Sequence, residues 1–63
     1  MKTSSIEYSN MILGWIQSVE DAEDAREFVR IALDSLEAGA EAVGKSFDRV
    51  EVKFLIRQTD GRV

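Results

Sequence analysis

The chain contains no cysteine, no histidine and no proline. Without cysteine no disulfide can staple a small fold, and without cysteine and histidine the usual ligands of zinc and haem are missing. The same two absences exclude Ser-His-Asp and Cys-His nucleophile arrangements. The absence of proline removes the strongest helix breaker and permits long uninterrupted helices. Glycines stand at 14, 39, 44 and 61, a spacing that forms no phosphate-cradling loop. The longest apolar stretch, Met11 to Ile16, is interrupted by Gly14 and is far too short to cross a bilayer. Lys2 stands alone before it and no small-residue cleavage site follows a long apolar core, so a signal peptide is not expected. Lack of thiols is compatible with a reducing compartment, and the cytoplasm is the default expectation.

What is present is a chain of 63 residues, read as one small domain over residues 1–63. One core of this size rarely contributes more than about 3–5 kcal/mol, and oligomerisation is the support that remains once disulfides and metals are excluded. The net charge is −4, from twelve acids and eight bases, which disfavours nonspecific binding to nucleic-acid phosphates. The charge is also uneven. Residues 1–42 carry nine acids against three bases, and residues 43–63 carry three acids against five bases. Such polarity favours antiparallel association and leaves a modestly basic C-terminal end.

Two helix starts are legible. Ser4 followed by Glu7 has the pattern of a capping box, and Tyr8, Ile12, Trp15 and Val19 follow at spacings of four, three and four. Met11 and Ile16 widen that face, so the first helix is expected from about Ser5 to Gln17. The second start is Ser18 followed by Glu20, Asp21, Glu23 and Asp24, acids that the positive end of a helix dipole stabilises, with Ser18 or Asp21 as the N-cap. From there Val29, Leu33, Leu36, Ala40, Val43, Phe47, Val50 and Phe54 recur at alternating spacings of four and three. Ser18, Ala25, Ala32, Gly39 and Ser46 run beside them seven apart, a stripe small enough for two backbones to approach closely. A sustained heptad repeat is the signature of helices packed as a coiled coil or bundle.

The expected fold is therefore all-α: a two-helix hairpin, with a short first and a long second helix, assembling as a helical-bundle homo-oligomer. A single long helix is the first alternative, because the heptad phase extends back through Ala22 to Tyr8. Helices followed by a C-terminal strand are the second, because Val50, Val52, Phe54 and Ile56 alternate with charged residues. In that case Gly44 would end the second helix. Residues 1–4 and 59–63 are expected to fray.

The candidate surfaces concern association. Ile12, Trp15, Val19, Val29, Leu33, Leu36, Val43, Phe47, Val50 and Phe54 form the expected oligomer core, with a dimer favoured. Tyr8, Leu13, Trp15, Leu55 and Ile56 are the expected partner-binding residues, Trp15 being the leading anchor because aromatic side chains dominate interface energetics. Lys45, Arg49, Lys53 and Arg57, each four apart, form a basic stripe on an expected C-terminal helix face. Arg26 occupies a seam position that is otherwise apolar, where it would snorkel to water or disfavour wrong alignments. The acids at 20, 21, 23 and 24 lack the spacing and glycine turn of a calcium loop and read as a solvated first turn. No catalytic residue, cofactor site or metal site is assigned. The expected function is that of a small non-catalytic adaptor or regulator that binds a protein partner as a helical homo-oligomer. The alternative is a bundle that binds RNA through the basic helix face, a weaker reading because acids are interspersed and no aromatic is placed for base stacking.

Overall fold

The computed structural model describes residues 3–63, and these form three helices with no strand among them. The helices are α1 (Thr3–Ile16), α2 (Ala22–Ala42) and α3 (Arg49–Thr59). The expected all-α class holds, but the two-helix hairpin does not, because the expected long second helix is two helices. Neither a continuous rod nor a C-terminal strand forms among the described residues. No described helix is long and apolar enough to cross a membrane.

The break between α2 and α3 has a local cause. Gly44 adopts φ 74°, the left-handed conformation in which a residue with a Cβ is strained. Its N–H donates to the Glu41 carbonyl at 3.1 Å and the Lys45 N–H donates to the Ala40 carbonyl at 2.8 Å. This paired closure satisfies carbonyls that the end of α2 would otherwise leave unbonded. Asp48 then restarts the chain as the N-cap of α3, its Oδ1 accepting from the Glu51 N–H at 3.0 Å. Continuity of the heptad phase therefore did not mean continuity of helix. Asp21, one of the two caps expected for the second helix, fills that role for α2, its Oδ2 accepting from the Asp24 N–H at 3.1 Å. Ser4 lies inside α1 and does not cap it.

The core is built from Ile12 and Ile16 of α1, Val29, Ala32 and Leu33 of α2, and Val52 and Ile56 of α3. Burying a side chain of the Leu, Ile or Val class stabilises a fold by about 1.5–3 kcal/mol, and six of these seven positions, all but Ala32, belong to it. The buried line of α1 is Ser5, Ser9, Ile12 and Ile16, rotated away from the expected line through Tyr8, Ile12 and Trp15. Two serines sit inside because they are small and because the Ser9 hydroxyl donates to the Ile6 carbonyl at 2.8 Å, which removes the penalty of burying it. Of the small-residue stripe, Ala25 and Ala32 are buried while Gly39 is exposed. At 21 residues α2 spans about 31 Å, which sets the long axis of 34 Å. Helix α1 packs most extensively on α3 and less on α2, and α2 touches α3 least.

The C-terminal tail, expected to fray, is docked. Arg62 lies between the end of α1 and the start of α2, its Nη2 donating to the Ile16 carbonyl at 3.0 Å and its Nη1 to the Val19 carbonyl. Asp60 braces the guanidinium from the other side, at 2.9 Å from Nε and 2.6 Å from Nη2. Arg26 of α2 donates to the Arg62 carbonyl at 3.3 Å, and Val63 packs against the core. At the other end of the chain, residues 1 and 2 of the stretch expected to fray lie outside the described residues, and Thr3 and Ser4 belong to α1.

Candidate functional site

Because α2 and α3 touch least, a cavity of about 370 Å³ opens between them. Spacing of four places Arg26 and Arg30 on one flank of α2 and Arg49, Lys53 and Arg57 on the facing flank of α3. The docked tail closes one end with Arg62. The base is apolar, formed by Val29, Leu33 and Val63. Six of the eight bases of an acidic chain thus gather around one groove.

Three of these six are already paired. Arg49 Nη1 reaches Asp34 Oδ1 at 2.5 Å and Glu37 Oε1 at 3.4 Å, tying α3 to α2. Arg30 pairs with Glu27 at 2.6 Å and with Asp34 at 3.5 Å on its own helix. Arg62 pairs with Asp60. Hydrogen bonds donated by Arg30 to Glu27, by Arg49 to Asp34 and by Arg62 to Asp60 are the main reasons these guanidinium groups are pushed above their ordinary range. In return Asp60 is lowered to about 2, chiefly by the Arg62 side chain and then by the Arg62 backbone N–H. Exposed ion pairs contribute little stability, about 0–1 kcal/mol each. Their effect here is to orient the rims of the groove. Lys53 and Arg57 line the groove and make no ion pair among the described residues; they also line a second hollow with Val50 and Phe54.

The structure separates the expected basic stripe. Arg49, Lys53 and Arg57 come together on α3, but Lys45 precedes that helix and lines a different hollow, beside Ser4, Glu7, Tyr8 and Met11 of α1. Arg26, Arg30 and Arg62 were missed as site residues. Arg26 carried a signal, since a charge at a seam position needs a polar destination, and Arg30 repeats it one turn later. Nothing in the sequence placed Arg62 beside them, because that depends on how the tail returns.

A second surface lies across α1 and α2. Trp15 and Phe28 meet edge to face, with ring centroids 6.2 Å apart at 68°, yet they remain 45% and 39% exposed. Met11 on α1 and Ile31 on α2 are likewise exposed, each within one helical turn of these rings. Phe28 was not among the expected contact residues. Tyr8 is half-buried, its ring centroid 5.0 Å from that of Phe47, and Leu13 and Leu55 are half-buried as well. Ile56, expected on a partner-facing patch, is fully buried in the chain's own core. The expected oligomer core is likewise divided. Ile12, Val29 and Leu33 are internal, Val19, Leu36 and Phe47 pack against them, and Trp15, Val43, Val50 and Phe54 are exposed.

Glu23 and Asp24 occupy the first turn of α2 beside their cap Asp21, as the dipole argument expects. Among the described residues no three acids converge to hold a metal ion. Comparison with protein-family models, with curated proteins and with solved structures found no match for this chain.

Proposed function

We propose that this chain is a small non-catalytic adaptor that works by protein–protein binding, and that it self-associates as a homodimer through the aromatic face of α1 and α2. The observation that carries this reading is the Trp15–Phe28 pair: two large aromatic side chains in mutual contact, left half-open to solvent beside a core that is already closed. Rings of this kind are the residues that anchor interfaces, and a contiguous exposed cluster of them leaves apolar area in water that association would bury. Met11 and Ile31 extend the patch along both helices. Self-association also answers the size argument, since a second copy would cover apolar surface that one short chain has too few elements to bury.

Sedimentation equilibrium across a wide concentration range, with circular dichroism on the same samples, tests it. The expected result is a dimer whose Trp15→Ala and Phe28→Ala variants sediment as monomers while keeping their helix content. A monomeric wild-type chain at every concentration would overturn the reading, as would variants that dimerise like the wild type.

A further inference from the structure

We propose that the groove between α2 and α3 is a docking site for an acidic segment of a protein partner, whose carboxylates pair with Lys53, Arg57 and Arg26 while an apolar side chain between them rests on Val29 and Leu33. The inference names the chemistry of the partner and rests on the reading of the chain as a protein-binding adaptor. Its basis is the segregation of charge. A chain with net charge −4 has no general attraction for anions, yet six of its eight bases line one cavity. Lys53 and Arg57 stand one turn apart on α3 and make no ion pair among the described residues, and Arg26 spends one Nη group on the Arg62 carbonyl.

The composition of the rims selects among anions. Five of the six bases are arginine, whose planar fork matches a carboxylate with two parallel hydrogen bonds. Successive bases on each rim are four residues apart, about 6 Å along the helix. Carboxylates on alternate residues of an extended segment, or one turn apart on a helix, have nearly the same spacing. The apolar base asks for an apolar side chain between them. A nucleic acid fits less well. No aromatic residue lines the groove to stack on a base, Phe54 lining a separate hollow with Val50, Arg49, Lys53 and Arg57. The groove is also already shaped, because Arg49 holds α3 against Asp34 and Glu37 and the Arg62 latch holds the end wall.

Fluorescence anisotropy with the full chain and a labelled peptide carrying glutamates on both sides of a central leucine tests the site. The same peptide with glutamine for glutamate and a labelled oligouridylate serve as comparisons. The glutamate peptide is expected to bind with an affinity that falls as salt rises, and the glutamine peptide is expected not to bind. Lys53→Glu combined with Arg57→Glu is expected to weaken binding at least about tenfold, whereas Lys45→Glu, outside the groove, leaves it unchanged. If circular dichroism shows the reversed-charge variant to be unfolded, Lys53→Gln with Arg57→Gln is expected to weaken binding about fivefold. Equal binding of the two peptides, equal damage from Lys45→Glu, no binding of the glutamate peptide, or tighter binding of the oligouridylate would each overturn the proposal. The titration is repeated on Trp15→Ala, whose groove is intact, so that failure of self-association and failure of the groove are read separately.

Discussion

Removing the Arg62 side chain is the perturbation that most directly probes how this fold is closed. Arg62→Ala deletes two hydrogen bonds to the Ile16 and Val19 carbonyls and leaves Asp60 only the backbone N–H of residue 62. Hydrogen bonds from a charged donor contribute about 1.5–3 kcal/mol each when the freed acceptor stays buried. The Arg62 side chain is 28% exposed and that of Asp60 is 18% exposed, so water can reach part of what is vacated. Taking the lower bound for each bond and halving it for solvent access gives a loss of about 1.5–2 kcal/mol once the contact of Val63 with the core is included. At about 2.1 cal/mol/K per residue, a chain this short has an unfolding entropy near 0.13 kcal/mol/K, so Tm should fall by about 11–15 °C. Thermal unfolding followed by circular dichroism reads this directly. Arg62→Lys is the companion, since an ammonium group keeps the charge but lacks the fork that spans both carbonyls and Asp60, and its Tm should fall between the two. A Tm for Arg62→Ala within about 2 °C of the wild type would refute the latch and with it the ordered end of the groove.

Two further expectations follow from the backbone and the tail. Added Cβ atoms at Gly39 and Gly44 would each meet open space, but Gly39 is helical whereas Gly44 sits at φ 74°. Gly39→Ala should therefore stabilise by about 0.5–1 kcal/mol and Gly44→Ala destabilise by about 1–2 kcal/mol; thermal melts that shift in the same direction for both would contradict the assigned helix stop. The Asp60 carboxyl, lowered to about 2 from an ordinary 3.8 by its hydrogen bonds to Arg62, contributes stability that is complete above pH 3.8 and is lost as pH falls through 2. Carbon-detected NMR titration of Asp60 should show that low midpoint in the wild type and a rise part of the way to the ordinary range in Arg62→Ala, where the backbone N–H of residue 62 still donates to Asp60, and an ordinary midpoint in both would remove the ion pair.

The sites show where sequence reasoning reaches and where it stops. Arg49, Lys53 and Arg57 were legible as a stripe because spacing of four on one helix is a local property. Their meeting with Arg26, Arg30 and Arg62 is a relation between three elements, and no periodicity encodes it. Trp15 was singled out from its size, but its neighbour Phe28 was not, because Phe28 lies off the heptad seam of α2 and meets Trp15 only where α1 crosses. Ile56 failed in the opposite way. It falls off the seam of one long helix, and it became core once the turn at Gly44 reoriented α3.

The sequence by itself determined that this protein is helical. Heptad spacing, the absence of proline and the acids after Asp21 all act within a few residues along the chain, and helix formation is governed by such short-range terms. It also contained the stop at Gly44 and the cap at Asp48, although an unbroken apolar phase argued for continuity across them. Only the tertiary structure decided which apolar residues became core and which remained outside. The three helices close around Ile12, Ile16, Leu33 and Ile56, and that closure leaves Trp15, Val50 and Phe54 at the surface. The physical reason is that a side chain's burial depends on the crossing of elements far apart in sequence, and a pattern that repeats along one helix does not say what lies across from it.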